Sequence, residues 1–160
     1  MTSSVTFNAL LDFPLVNEGD DLAHLIKQSL DNNQISLQNG DALVIAQKIV
    51  SKAEGRLVFL NDVVVSDRAQ EFAAVTGKDP RLTELILGEA KSVIRARQGI
   101  MIVEHKNGYV MANAGIDKSN ILLDESNQSV LLLPEDANKS AELLREKLAK
   151  SCGVSLAIII

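Results

Sequence analysis

Apolar positions along this chain switch between helical and strand spacing, which predicts an alternation of the two element types. Residues 5–11 read as a first strand, ended by Asp12 and by Pro14, which has no amide to donate to a ladder. Phe13-Pro14-Leu15-Val16 then forms an apolar loop leading to Glu18-Gly19-Asp20-Asp21. Asp20 is placed to cap a helix whose inner face carries Leu22, Leu25, Ile26 and Leu30. Asn32-Asn33 and Asn39-Gly40-Asp41 mark a loop and a turn. The unbroken apolar run at residues 42–46 is the pattern of a strand covered on both faces. It runs into Gln47-Lys48-Ile49-Val50-Ser51-Lys52-Ala53-Glu54-Gly55-Arg56, read here as continuing extended chain.

Further along, Ser66 caps a helix over residues 67–75 that Gly77 stops. Asp79-Pro80 supplies a cap and a first-turn proline for a second helix, with Leu82, Leu85, Ile86 and Ala90 inward. Residues 93–96, 100–104 and 109–112 read as strands, the last two joined by a hairpin at His105-Lys106-Asn107-Gly108. Another strand, residues 130–133, ends at Pro134. Asp136 can then cap a helix that turns Ala141, Leu144 and Leu148 inward, puts Lys147 and Lys150 near its negative end, and stops at Gly153. The apolar residues 154–160 form a last strand. The fold class is therefore α/β, a mixed sheet with flanking helices.

Two stretches break this apolar rhythm. The first is Asn113-Ala114-Gly115-Ile116-Asp117-Lys118-Ser119-Asn120. Asp117 offers hard oxygens of the kind Mg²⁺ or Mn²⁺ takes alongside phosphate. Asn113 and Asn120 both donate and accept, and Gly115 lets backbone approach a ligand. A polar turn with an Asp that caps itself is the commoner fate of such residues. The second is the run from Gln47 to Arg56: in extended chain Lys48 and Lys52 share a side, with Val50 between them. Two lysines there make either a polyphosphate seat or a protected edge strand. It is not a P-loop, because no glycine-rich run ends in Gly-Lys-Ser or Gly-Lys-Thr.

Composition narrows the chemistry. A net charge of −5 disfavours non-specific nucleic-acid binding, and 3% aromatics leave no base-stacking platform. One cysteine, Cys152, excludes an internal disulfide framework and a Cys-rich zinc site, and reads as space-filling near a helix end. No apolar run spans a bilayer and the start lacks a signal-peptide pattern, so a cytoplasmic chain is expected, with no membrane partner. His24 and His105 lack companions at metal or catalytic spacing and read as surface residues; Arg95 and Arg97 read as solvated.

Taken together, Glu18 to Leu22, Gly40-Asp41 leading into Ile49 to Arg56, Gly77 to Pro80, Asn113 to Asn120 and Leu131 to Asp136 resemble the coenzyme F-420-0:L-glutamate ligases, the gamma-glutamyl ligases. The resemblance runs in order through the whole chain. It implies a GTP-dependent enzyme that activates the terminal carboxylate of a deazaflavin coenzyme precursor as an acyl phosphate and adds L-glutamate to it. It also implies Mg²⁺ or Mn²⁺, assistance by K⁺, and a homodimer. By the family pattern, Phe13, Pro14, Leu15, Val16, Gln47, Lys48, Lys52 and Asn120 bind the nucleotide and Asp117 binds metal. No general base stands out. Family chains continue beyond the strand matching residues 155–160 into a polar, Asp-containing segment with further metal ligands. The expectation is thus that residues 1–160 are the N-terminal part of a ligase domain, an incomplete domain cut after Ile160. Two other readings are a non-catalytic nucleotide- or partner-binding module and a related ligase acting on another carboxylate.

Overall fold

The computed structural model describes residues 4–118 and 128–160. In chain order its elements are α1 (Leu22–Asn32), β1 (Ala42–Val44), α2 (Gln47–Ala53), β2 (Leu57–Phe59), α3 (Asp67–Thr76), α4 (Pro80–Glu89), β3 (Ala90–Arg97), β4 (Ile100–His105), β5 (Val110–Ala112), β6 (Ser129–Leu131), α5 (Ala137–Cys152) and β7 (Ala157–Ile159). Single 3₁₀ turns cover Leu60–Asp62 and Asn113–Gly115. The chain is α/β, with parallel and antiparallel pairing divided over three small sheets. It forms two compact units, one from the residues up to Ala53 together with Ala137–Ile160, the other from Glu54–Asp136.

In the first unit β1 pairs parallel with β7, setting Leu43 opposite Ile158. The core is the helical stripe Ala23, Ile26 and Leu30 of α1 against Leu144 and Leu148 of α5, closed by Leu156. The α1 cap is Asp21, whose carboxylate accepts from the Ala23 amide. The expected cap, Asp20, instead turns back to accept from the Asn17 amide at 2.8 Å, so it closes the preceding turn. Lys147 bonds the Asp21 carboxylate at 3.0 Å and, as the main cause, holds its pKa below the ordinary 3.8.

The strand expected at residues 5–11 does not form, and Phe7 is 88% exposed. A strand needs a ladder partner, and none pairs with this segment among the described residues. The Asn33 side-chain amide instead bonds both the N–H and the carbonyl of Leu11, at 3.0 and 3.1 Å. Nor is β1 covered on both faces: its burial alternates and Val44 is 70% exposed. Its apolar run comes from a half-covered strand.

In the second unit β3, β4 and β5 form an antiparallel meander, and β2 pairs antiparallel with β6. Leu82 and Ile86 of α4 pack on Met101 and Val103 of β4, together with Leu60, Ala114, Val130 and Leu132. The sequence signals at both helices hold. Ser66 caps α3, Gly77 ends it in the left-handed region at φ 67°, and Asp79 caps α4 ahead of Pro80. The α4 helix stops at Glu89, so Ala90 opens β3 and is not a helical core position. The Arg81 guanidinium, bonded to Asp79 at 2.7 Å, is the main cause holding the Asp79 carboxyl below its ordinary value. At the β4–β5 hairpin the His105 amide donates to the Tyr109 carbonyl at 2.7 Å, as Asn-Gly predicts.

Candidate functional site

The nucleotide candidates Phe13 to Val16, Gln47, Lys48 and Lys52 all belong to the first unit. The segment read as extended is the helix α2, which corrects the geometry of the lysine pair. Lys48 and Lys52 are four residues apart, so a helix also sets them on one face, about 5–6 Å apart at Cβ. The helix buries Val50, on the side away from the two lysines, together with Ser51. Ser51 Oγ donates to Gln47 Oε1 at 3.1 Å, locking one turn onto the next. The Gly19 amide donates to the Ala53 carbonyl at 2.9 Å, tying the end of α2 to the loop that follows Val16.

The loop residues divide by role. Val16 is buried and Phe13 packs against the α1–α5 core, so both anchor the loop. Pro14 is exposed and Leu15 is 85% exposed, so these two hold the surface that a ligand can touch.

The second unit carries the Asp117 stretch, with Asn120 outside the described residues. Asn113, Ala114 and Gly115 are successive left-handed residues, at φ 53°, 53° and 69°. This region is strained for the two that carry a Cβ. What holds it is packing: Ala114 is fully buried in the core, and Gly115 lies so close to Leu133 and Met111 that a Cβ there would meet them at 2.9 Å. The carboxamide oxygen of Asn113 is enclosed and has no hydrogen-bond partner among the described residues. Asp117 follows, half-buried, with its amide and carbonyl exchanging two 2.9 Å bonds with Leu131. The Asp117 backbone is thus held against Leu131, directly after a turn packed into the core.

Among the described residues no group of three His, Cys, Asp or Glu side chains stands together as a metal cluster. The donor chemistry nevertheless fits Mg²⁺ or Mn²⁺ in kind. Such ions are commonly held by one or two carboxylates, with phosphate oxygens and waters filling the shell. Arg95 and Arg97 are exposed, as the solvated reading expected.

His105 is a correction. It is 2% exposed, because the alternation that buries Met101 and Val103 on β4 continues to it. Its Nδ1 accepts from the Asn107 amide at 3.0 Å, so the ring proton of the neutral form sits on Nε2, 3.5 Å from Glu89 Oε2. Glu89 in turn bonds Arg56 Nη2 at 2.6 Å. Sequence reasoning missed this cluster. The period-two burial of β4 was a signal for His105, but nothing in the sequence pairs Arg56 with Glu89, 33 residues away.

Comparison with known proteins finds that a family model described as F420-0:Gamma-glutamyl ligase matches residues 11–160. The coenzyme F420:L-glutamate ligase of Methanothermobacter thermautotrophicus is 43% identical over 147 residues, covering 92% of this chain and 57% of that protein. The ligase of the same description from Methanopyrus kandleri is 44% identical over 145 residues, covering 91% of this chain and 54% of that protein. That of Methanocaldococcus jannaschii is 34% identical over 152 residues, covering 94% and 57%. The chain therefore spans a little over half the length of these curated relatives.

Proposed function

Because the chain belongs to the F420-0:gamma-glutamyl ligase family, we propose that it serves a GTP-dependent ligase adding L-glutamate to a deazaflavin coenzyme precursor. The similarity over more than nine-tenths of the chain to proteins of that description is the observation that carries this reading. In the proposed reaction a carboxylate oxygen of the precursor attacks the γ-phosphorus of GTP, giving an acyl phosphate and GDP. The amino nitrogen of L-glutamate then attacks the acyl carbon, the C–O bond to phosphate breaks, and phosphate leaves as the amine loses its proton.

Such chemistry asks the protein for charge neutralisation and alignment more than for covalent help. Lys48 and Lys52, on one face of α2, supply positive charge for the phosphates. Gln47 is held by Ser51, and Pro14 with Leu15 supplies apolar surface for the nucleotide. Asp117 and Asn120 are the candidates for metal and nucleotide contact in the second stretch. A divalent ion, when bound, would neutralise phosphate charge at the Asp117 carboxylate, with K⁺ assisting. The reading includes a homodimer. No helix among the described residues is long and apolar enough to cross a membrane.

The decisive experiment titrates GTP calorimetrically with and without Mn²⁺, then follows phosphate release in the presence of L-glutamate and the precursor. Metal-dependent GTP binding, and release that requires both co-substrates, is the expected result. GTP binding with no release under any acceptor would favour the non-catalytic module; release with a different carboxylate would favour a related ligase.

A further inference from the structure

We infer that the Arg56–Glu89 ion pair is a positioning clamp that sets the backbone of Leu131 to Leu133 and, through it, the turn that presents Asp117. The inference rests on the reading of Asp117 as the metal-side residue of the site.

Both side chains are largely withdrawn from solvent, at 17% and 15% exposure. A buried ion pair is a poor source of stability, since apolar side chains of similar volume often do as well or better. What charge and a planar fork supply is direction. The Arg56 guanidinium splits its donors: Nη2 reaches Glu89 Oε2 at 2.6 Å and Nε reaches the Leu133 carbonyl at 2.9 Å. The carbonyl of Arg56 itself accepts from the Leu132 amide at 3.1 Å. One residue thus grips two consecutive backbone positions, from its main chain and from its side chain.

The far side of that grip is the Asp117 turn. Leu131 exchanges both backbone bonds with Asp117, and the Leu133 side chain lies against Gly115. The near side is anchored elsewhere. Glu89 ends α4, its carbonyl accepts from the Lys106 amide at 3.0 Å, and its carboxylate also faces His105 Nε2 at 3.5 Å and Lys106 Nζ at 4.0 Å. Glu135 approaches the other Arg56 nitrogen at 3.7 Å from the exposed side. The path therefore runs from the α4 terminus and the β4 corner, through one guanidinium, into the strand that holds Asp117. Lysine offers all its donors from one nitrogen, so it cannot reproduce the separate placement of Nε and Nη2.

The test is residue-resolved native-state hydrogen exchange by NMR, in wild type, Arg56→Lys and the double variant Arg56→Met with Glu89→Leu. The Gly77 amide, bonded to Ala73 at 2.7 Å in α3, is the internal control. The double variant should keep its melting temperature while the Asp117 and Leu131 amides exchange about tenfold faster and Gly77 is unchanged. Arg56→Lys should show the same local change in smaller measure and covers the case in which the double variant does not fold. Unchanged exchange at Asp117 and Leu131, or an equal rise at Gly77, would overturn the clamp and leave the pair a merely structural one. Paramagnetic broadening by added Mn²⁺, with Asp117→Asn as control, separates the two ideas. Broadening near residue 117 should need about tenfold more Mn²⁺ in the double variant. Equal broadening in wild type and Asp117→Asn would sink the metal reading, while the exchange rates still decide the clamp.

Discussion

At the scale of single residues, the two polar stretches make separable predictions. Lys52→Ala should weaken GTP binding by about 10- to 100-fold, the range of a lost charge-assisted contact, read by calorimetry. Unchanged affinity would remove Lys52 from the nucleotide site. Asp117→Asn keeps the shape and loses the charge, so GTP affinity without metal should hold while its enhancement by Mn²⁺ disappears. Gly115→Ala tests the strained turn. At φ 69° a side chain is disfavoured, and its Cβ would stand 2.9 Å from Leu133 and Met111. Those neighbours are flexible side-chain ends, so a loss of about 1–3 kcal/mol is expected in a denaturant melt, not a failure to fold. Asn113 and Ala114 show why such a turn was only half legible. Glycine at 115 announces a left-handed residue, whereas an alanine forced into that region by core packing gives no local sign.

At the scale of elements, caps were the most readable features and strand partners the least. Ser66, Gly77, Asp79 and Pro80 act within a few residues of where they stand, so their chemistry is local. Asp79 yields a pH prediction. Its folded pKa lies below the ordinary 3.8, chiefly through Arg81, so its contribution is fully present above 3.8 and is lost as pH falls through the lower folded value. Asp79→Asn should therefore melt below wild type at pH 7, with the gap closing as pH drops below about 3.8. A gap that stays constant down to pH 2.5 would show that the charge contributes nothing. The α2 helix teaches the opposite lesson. Its seven residues read as extended chain, yet Gly55 follows them in the left-handed region at φ 68°, as at a helix end, and Val50 and Ser51 are buried. Lys48 and Lys52 share a face under either geometry, so the error about the backbone leaves their pairing unchanged.

At the scale of the molecule, the first unit shows large apolar side chains that its own described residues leave uncovered, among them Val5, Phe7 and Leu11. Under the homodimer proposed above, this segment is a candidate to be covered by the second copy. Replacing Val5 and Phe7 together by serine should then shift the mass measured by light scattering toward the monomer. An unchanged dimer mass would place the interface elsewhere.

The sequence alone determined the class of the fold, the order and ends of most helices, the hairpin at Asn107-Gly108, and the family to which the chain belongs. These follow from short-range chemistry: periodicity, caps, glycine turns, and blocks of residues that stay together in the chain. Only the tertiary structure decided that residues 5–11 find no ladder among the described residues, that α2 is a helix, that His105 is buried, and that Arg56 meets Glu89. Each of those depends on which distant group arrives as a partner. A backbone amide, an imidazole or a guanidinium has no settled conformation until its hydrogen-bonding and charge are met by something that the chain brings from elsewhere.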